Sequence, residues 1–167
     1  MKISNTPRLV AAICFSTLGV ADAATTYVDE TAFLDALATL GQSVVQEGFE
    51  DDAAWGSVRS TTSGIVTAPS ITNLGITWTS NNDTSEVTTS NTGTAVHSGT
   101  WGFLSLPHGD YDSTLKDCTV PGVCGDGFVA TSAQPMVAMG GWFSGTFGAD
   151  IDIILDGASL NFGAPLD

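Results

Sequence analysis

Positive charge is what this 167-residue chain has least of: Lys and Arg number 4 against 18 Asp and Glu, a formal net charge of −14. A surface this acidic repels phosphate backbones, so nucleic-acid binding, which needs clustered Lys and Arg, is excluded. Anionic lipid surfaces are disfavoured for the same reason. The partners that remain are neutral, such as glycans and other proteins, or cationic, divalent metal ions included. Histidine is scarce as well. His97 and His108 are the only 2, and neither lies in a triad signature. A Gly-x-Ser-x-Gly elbow is missing, since Ser144 in "GGWFSGTFG" lacks the spacing. Cys-x-x-Cys, the usual redox motif, is missing too. No apolar run reaches the roughly 20 residues of a membrane-spanning helix.

What is there begins with "MKISNTPRLVAAICFSTLGVADAATT". Lys2 and Arg8 give a positive start, Leu9 to Val20 form a short apolar run, and Ala21-Asp22-Ala23 supplies the small residues a signal peptidase reads. Residues 1–23 therefore read as a secretory signal peptide cleaved after Ala23. A lipoprotein reading through Cys14 is weaker, because bulky Ile13 stands where a small residue is wanted. Cleavage leaves 2 cations, Arg59 and Lys116, against 17 acids, a net charge of −15. It also removes Cys14, leaving Cys118 and Cys124 in an oxidising compartment, where two nearby cysteines most often form one local disulfide. Pro121-Gly122 is a natural turn pair inside that loop, whose closure is worth about 2 kcal/mol.

The rest, residues 24–167, has the length of a single domain with one core. In "DETAFLDALATLG", Phe33, Leu34, Leu37 and Leu40 make one apolar stripe, with Asp29 or Thr31 to cap the helix and Gly41 to end it. After Gly41 come short β-prone runs between turn residues: "SVVQEGFE", "SGIVTAP", "LGITWTS", "EVTTS", "WGFLSLP", "DGFVATS", "PMVAMGGWF" and "ADIDIILDG". About eight such strands without intervening helices argue for an all-β, antiparallel β-sandwich of jelly-roll type. The polar stretch "TSNNDTSEVTTSNTGT" reads as an exposed hairpin or long loop. "ASLNFGAPLD" offers at most one more strand, so an incomplete sheet edge and a shortened C-terminus are expected.

Several chemistries fit the remaining residues. Glu47, Glu50 and Glu86 are the glutamates of the β region, and glycoside hydrolysis needs two carboxylates across a sugar; the alternative is that "QEGFEDD" is a solvent-facing strand edge entering a turn. Zinc would use His108, Cys118 and Cys124, but Cys-x5-Cys is not a usual zinc spacing. Calcium prefers several oxygen ligands, and "GDYD" and "CGDG" place Asp110, Asp112 and Asp126 on glycine-containing loops that a disulfide draws together. Acidic loops of a very acidic protein are the plainer explanation. Glycan stacking would use exposed aromatic rings. Trp78 and Trp142 lie within strand-like runs and read as core, whereas Trp55 and Trp101 follow turn-like segments and read as exposed.

A pattern larger than any one motif joins these pieces. An export signal precedes "FLDAL", "VVQEGFED", "WGFLSLPHG", "CGDGFVATS" and "VAMGGWFSGTFGADIDIILDG". The sequence resembles the exported β-rich domains of bacterial proteins sorted by the PEP-CTERM/exosortase system. In that family a Val-Pro-Glu-Pro motif, an apolar helix and a basic tail follow the domain; none stands before Asp167 here. The resemblance implies an envelope or extracellular-matrix protein of a polysaccharide-producing Gram-negative bacterium, without enzymatic activity, and carries over no catalytic residue.

The sequence thus leads to an exported, non-enzymatic surface or matrix domain contacting extracellular polysaccharide or envelope proteins. A calcium-dependent carbohydrate-binding module is the alternative, and a small secreted hydrolase the third reading.

Overall fold

The computed structural model describes residues 8–13, 16–17, 20–21, 25–81, 85–91, 96–106, 127–143, 152–155 and 158–162. The first strands are β1 (Arg8–Ile13), β2 (Ser16–Thr17), β3 (Val20–Ala21) and β4 (Thr25–Tyr27), followed by helix α1 (Glu30–Thr39). Helix α2 (Asp52–Trp55) runs into a 3₁₀ turn (Gly56–Val58), then β5 (Arg59–Ser60), β6 (Ser70–Asn73), β7 (Ile76–Ser80), β8 (Glu86–Ser90) and β9 (Gly102–Leu106). The last strands are β10 (Phe128–Ser132), β11 (Ala138–Phe143), β12 (Asp152–Leu155) and β13 (Ala158–Asn161). The chain is β-rich with few helices, none of which, among the described residues, is long and apolar enough to cross a membrane. Two compact units are present: Met1–Val45 with Pro135–Asp167, and Gln46–Gln134.

In the first unit α1 starts where the sequence puts it. The Asp29 carboxylate accepts the Ala32 amide at 2.8 Å, which satisfies one of the helix's orphan donors. Gly41, at φ +67°, turns the chain out of the helix. Phe33 and Leu37 are buried against Tyr27 and Ala138, but Leu40, the last residue of the stripe, is exposed. The sheet beside the helix has the order β11-β1-β4, with β1 antiparallel to both neighbours. In the full chain, then, part of the segment read as a signal peptide is a central strand. Two hairpins, β2-β3 and β12-β13, complete the unit's described strands.

The second unit contains two three-stranded sheets, β10-β7-β6 and β5-β8-β9. Strands β6 and β7 pair from Asn73↔Ile76 outward, so Leu74 and Gly75 form a two-residue turn, both at positive φ (51° and 78°). That is the type I′ geometry matching the twist of a hairpin. Trp78 of β7, Phe103 of β9 and Phe128 of β10 meet Trp55 and Val58 in an aromatic core. Phe103 is its hub, with ring centroids 5.0 to 5.9 Å from those of Phe49, Trp55, Trp78 and Phe128.

Three expectations are corrected. Strand β8 is the β-prone run "EVTTS", but the stretch around it reads as an exposed hairpin or long loop, whereas β8 is central in its sheet and Val87, Thr88, Thr89 and Ser90 are buried. So polar a run is buried because its hydroxyls are paired: Thr88 Oγ1 lies 2.7 Å from Ser60 Oγ and 2.6 Å from the Val66 carbonyl. Helix α2 breaks the expectation that no helix stands among the strands after Gly41; Asp51 caps it, its carboxylate accepting the Ala53 amide at 2.9 Å. Finally, "SVVQEGFE" and "SGIVTAP" form no strand, and β5 pairs parallel to β8, so the pairing is not antiparallel throughout.

Candidate functional site

The segment "QEGFEDD", Gln46–Asp52, organises one surface of the second unit through its carboxylates. Phe49 holds φ +62°, a left-handed conformation costly for a bulky residue. Three groups hold it there. Glu47 Oε1 accepts the Phe49 amide at 2.7 Å while Oε2 accepts Asn73 Nδ2 at 2.8 Å. Arg59 Nη1 donates to the Phe49 carbonyl at 2.5 Å. The Phe49 ring lies edge-on to Trp55 and Trp78, centroids 5.3 and 5.4 Å away. Strain at one residue is thus held by the packing of a whole core.

Glu50, next in sequence, reaches across to a second loop. Its Oε1 accepts the amides of Thr100 and Trp101 at 2.7 and 2.9 Å, a two-pronged, charge-assisted contact. Gly99, at φ +72°, makes this possible, because a Cβ there would lie 2.4 Å from that same oxygen.

Arg59 joins the two loops. Its side chain is only 11% exposed, and Nη2 lies 2.8 Å from Asp52 Oδ1, whose side chain is 85% exposed. Nη1 also donates to Thr89 Oγ1 at 3.2 Å. The guanidinium carbon stands 4.3 Å from the centroid of the Trp101 ring. A planar cation stacked on indole contributes about 1 kcal/mol, and the exposed Asp52 pair adds about 0.5 kcal/mol. Trp101 is therefore fixed from two sides, its backbone by Glu50 and its ring by Arg59, and it stays half-buried. Such a seat holds a flat apolar ring at the surface without the entropy loss of ordering it on contact.

The expected site residues fare unequally. Trp101, which reads as exposed in the sequence, is half-buried, with the Arg59 guanidinium over its ring. Trp55, read the same way, is at 0% exposure: it fills the core between Phe49 and Phe103, and its ring offers no face to solvent. The turn-like residues before it are helix α2, which points Trp55 inward. Trp142, read as core, is 38% exposed in the first unit, whereas Trp78 is core as read. Cys118, Cys124, His108, Asp110, Asp112 and Asp126 lie outside the described residues, and so do Cys14 and Ser144. Among the described residues no three His, Cys, Asp or Glu side chains gather as round a metal ion. Glu86, the third glutamate considered for hydrolysis, accepts a short hydrogen bond from Thr67 Oγ1.

Arg59 is the residue that sequence reading missed as part of a site, while Glu50, considered there only as a hydrolytic carboxylate or a solvated edge, holds the Thr100 and Trp101 amides instead. A signal existed: Arg59 is one of only 2 cations left after residue 23, and a lone cation among many acids rarely stands idle. Compared with protein-family models, curated proteins and solved structures, the chain has no match.

Proposed function

We propose that the chain is an exported, non-enzymatic surface or matrix domain that binds neutral polysaccharide through Trp101, with envelope proteins as further partners. The seating of Trp101 by Glu50 and Arg59 carries this reading: a preorganised, half-buried indole next to polar groups is the chemistry that stacks on a sugar ring. The adjoining acids favour a neutral glycan over a uronic acid polymer, since exposed Glu50 binds the Trp101 amide and exposed Asp52 pairs with the Arg59 that stacks on its ring. The export signal of residues 1–23, the disulfide Cys118–Cys124 and the likeness to PEP-CTERM proteins belong to the same reading, as does a jelly-roll arrangement of the strands. A calcium ion at Asp110, Asp112 and Asp126 is its calcium-dependent variant. Affinity electrophoresis tests the proposal. Migration of the processed protein slows in gels containing a neutral polysaccharide, and Trp101→Ala restores free migration. Unchanged retention of Trp101→Ala, or no retention of the wild type across a panel of polysaccharides, overturns it.

A further inference from the structure

Strand β1 has neighbours on both sides. All six residues from Arg8 to Ile13 pair with β11, and Ala11, Ala12 and Ile13 pair also with β4. Both neighbours run antiparallel to β1, so they run parallel to each other, held apart by one strand. Two strand spacings separate them, about 9.6 Å, far beyond hydrogen-bonding reach. Cleavage after Ala23 removes β1 and leaves two ladder edges facing a gap one strand wide. Unpaired backbone of this kind is a template for another strand.

The first unit's own β12 is a poor replacement. It pairs along all four residues with β13, and a strand has only two edges. To sit between β11 and β4 it must give up β13, which exchanges one unpaired strand for another.

We propose that the processed chain is a strand acceptor, its gap between β11 and β4 taking an extended apolar segment of another polypeptide in the place β1 holds in the full chain. This rests on the export reading, because only loss of residues 1–23 opens the gap. The sequence of β1, "RLVAAI", is the template for the occupant: a single charged residue at one end, no carboxylate, and Ala11-Ala12 where both sides are flanked. Main-chain bonds supply the affinity, as in other cases of β-strand addition, and a carboxylate-free segment suits a chain of net charge −15 after cleavage.

The test begins with the full chain expressed in a secreting bacterium and the exported product collected. Its intact mass shows whether residues 1–23 have gone. A fluorescent synthetic peptide of residues 6–13, "TPRLVAAI", is then titrated against it by anisotropy. Saturable binding is expected, together with slowed hydrogen exchange across residues 138–143 and 25–27. The same peptide with Ala12→Pro should bind at least about tenfold more weakly. Ala12 lies between two ladders, so its N–H serves one or the other, and proline has none. No binding by the processed chain, or equal binding of both peptides, overturns the proposal. So does a concentration-dependent dimer in which residues 138–143 are already protected without peptide, since a second copy then fills the gap. An unprocessed product, recognised by its mass, defeats the export reading and leaves no gap to fill.

Discussion

Among the described residues the two units bury different kinds of cluster. The second gathers Trp55, Val58 and Trp78 with Phe49, Phe103 and Phe128 into one aromatic cluster, and spends four carboxylates, Glu47, Glu50, Asp51 and Asp52, on fixing the loops around it. Among the described residues of the first unit, Phe33 and Leu37 are the buried pair, packed on Tyr27 and Ala138. The difference teaches where rigidity is available. Trp101 is tied to the aromatic cluster through Arg59, which stacks on its ring and donates to the Phe49 carbonyl, whereas Trp142 lies on β11 of the other unit and is 38% exposed.

Substitutions that enlarge or erase this contrast come in descending order. Trp55→Ala empties the centre of the aromatic cluster and should lower stability by about 4 kcal/mol, read from urea unfolding. Leu37→Ala in the first unit's cluster should cost about 2 to 3 kcal/mol. An equal loss in both would break the comparison. Glycines give a second pair. Gly99→Ala meets Glu50 Oε1 at 2.4 Å as well as an unfavourable φ, and should cost about 2 kcal/mol with Trp101 displaced. Gly41→Ala meets nothing within 4 Å, so only its φ counts, and about 1 kcal/mol is expected. Thermal unfolding of the two variants side by side checks the difference. Least affected is Glu50→Gln, which retains an acceptor for the Thr100 and Trp101 amides while losing its charge; a loss of about 0.5 to 1 kcal/mol is expected. A loss as large as that of Gly99→Ala would mean that charge, not geometry, seats the loop.

Much of the local structure was legible in the sequence because local rules produce it. The cap at Asp29, the stop at Gly41 and the strands β7, β9, β10, β11 and β12 follow from periodicity and turn chemistry. What escaped depended on contacts distant in sequence. Thr88 and Thr89 look like surface residues until Ser60, 28 residues away from Thr88, is brought beside them. Glu50 looks like a solvated edge until Thr100, 50 residues on, presents its amide. Trp55 reads as exposed because helix α2 is four residues long, too short to show a period. The fold was legible as a β-rich class but not as an order of strands, since pairing such as β5 with β8 is decided by burial and not by either strand alone.

The account turns on Trp101 being the ring that meets a glycan. The direct measurement is a glycan array, run with and without calcium, of the processed wild type, Trp101→Ala and Trp142→Ala. Binding to neutral glycans that is lost with Trp101→Ala and kept with Trp142→Ala is the predicted result. Binding that survives Trp101→Ala, or that falls with Trp142→Ala instead, would contradict it.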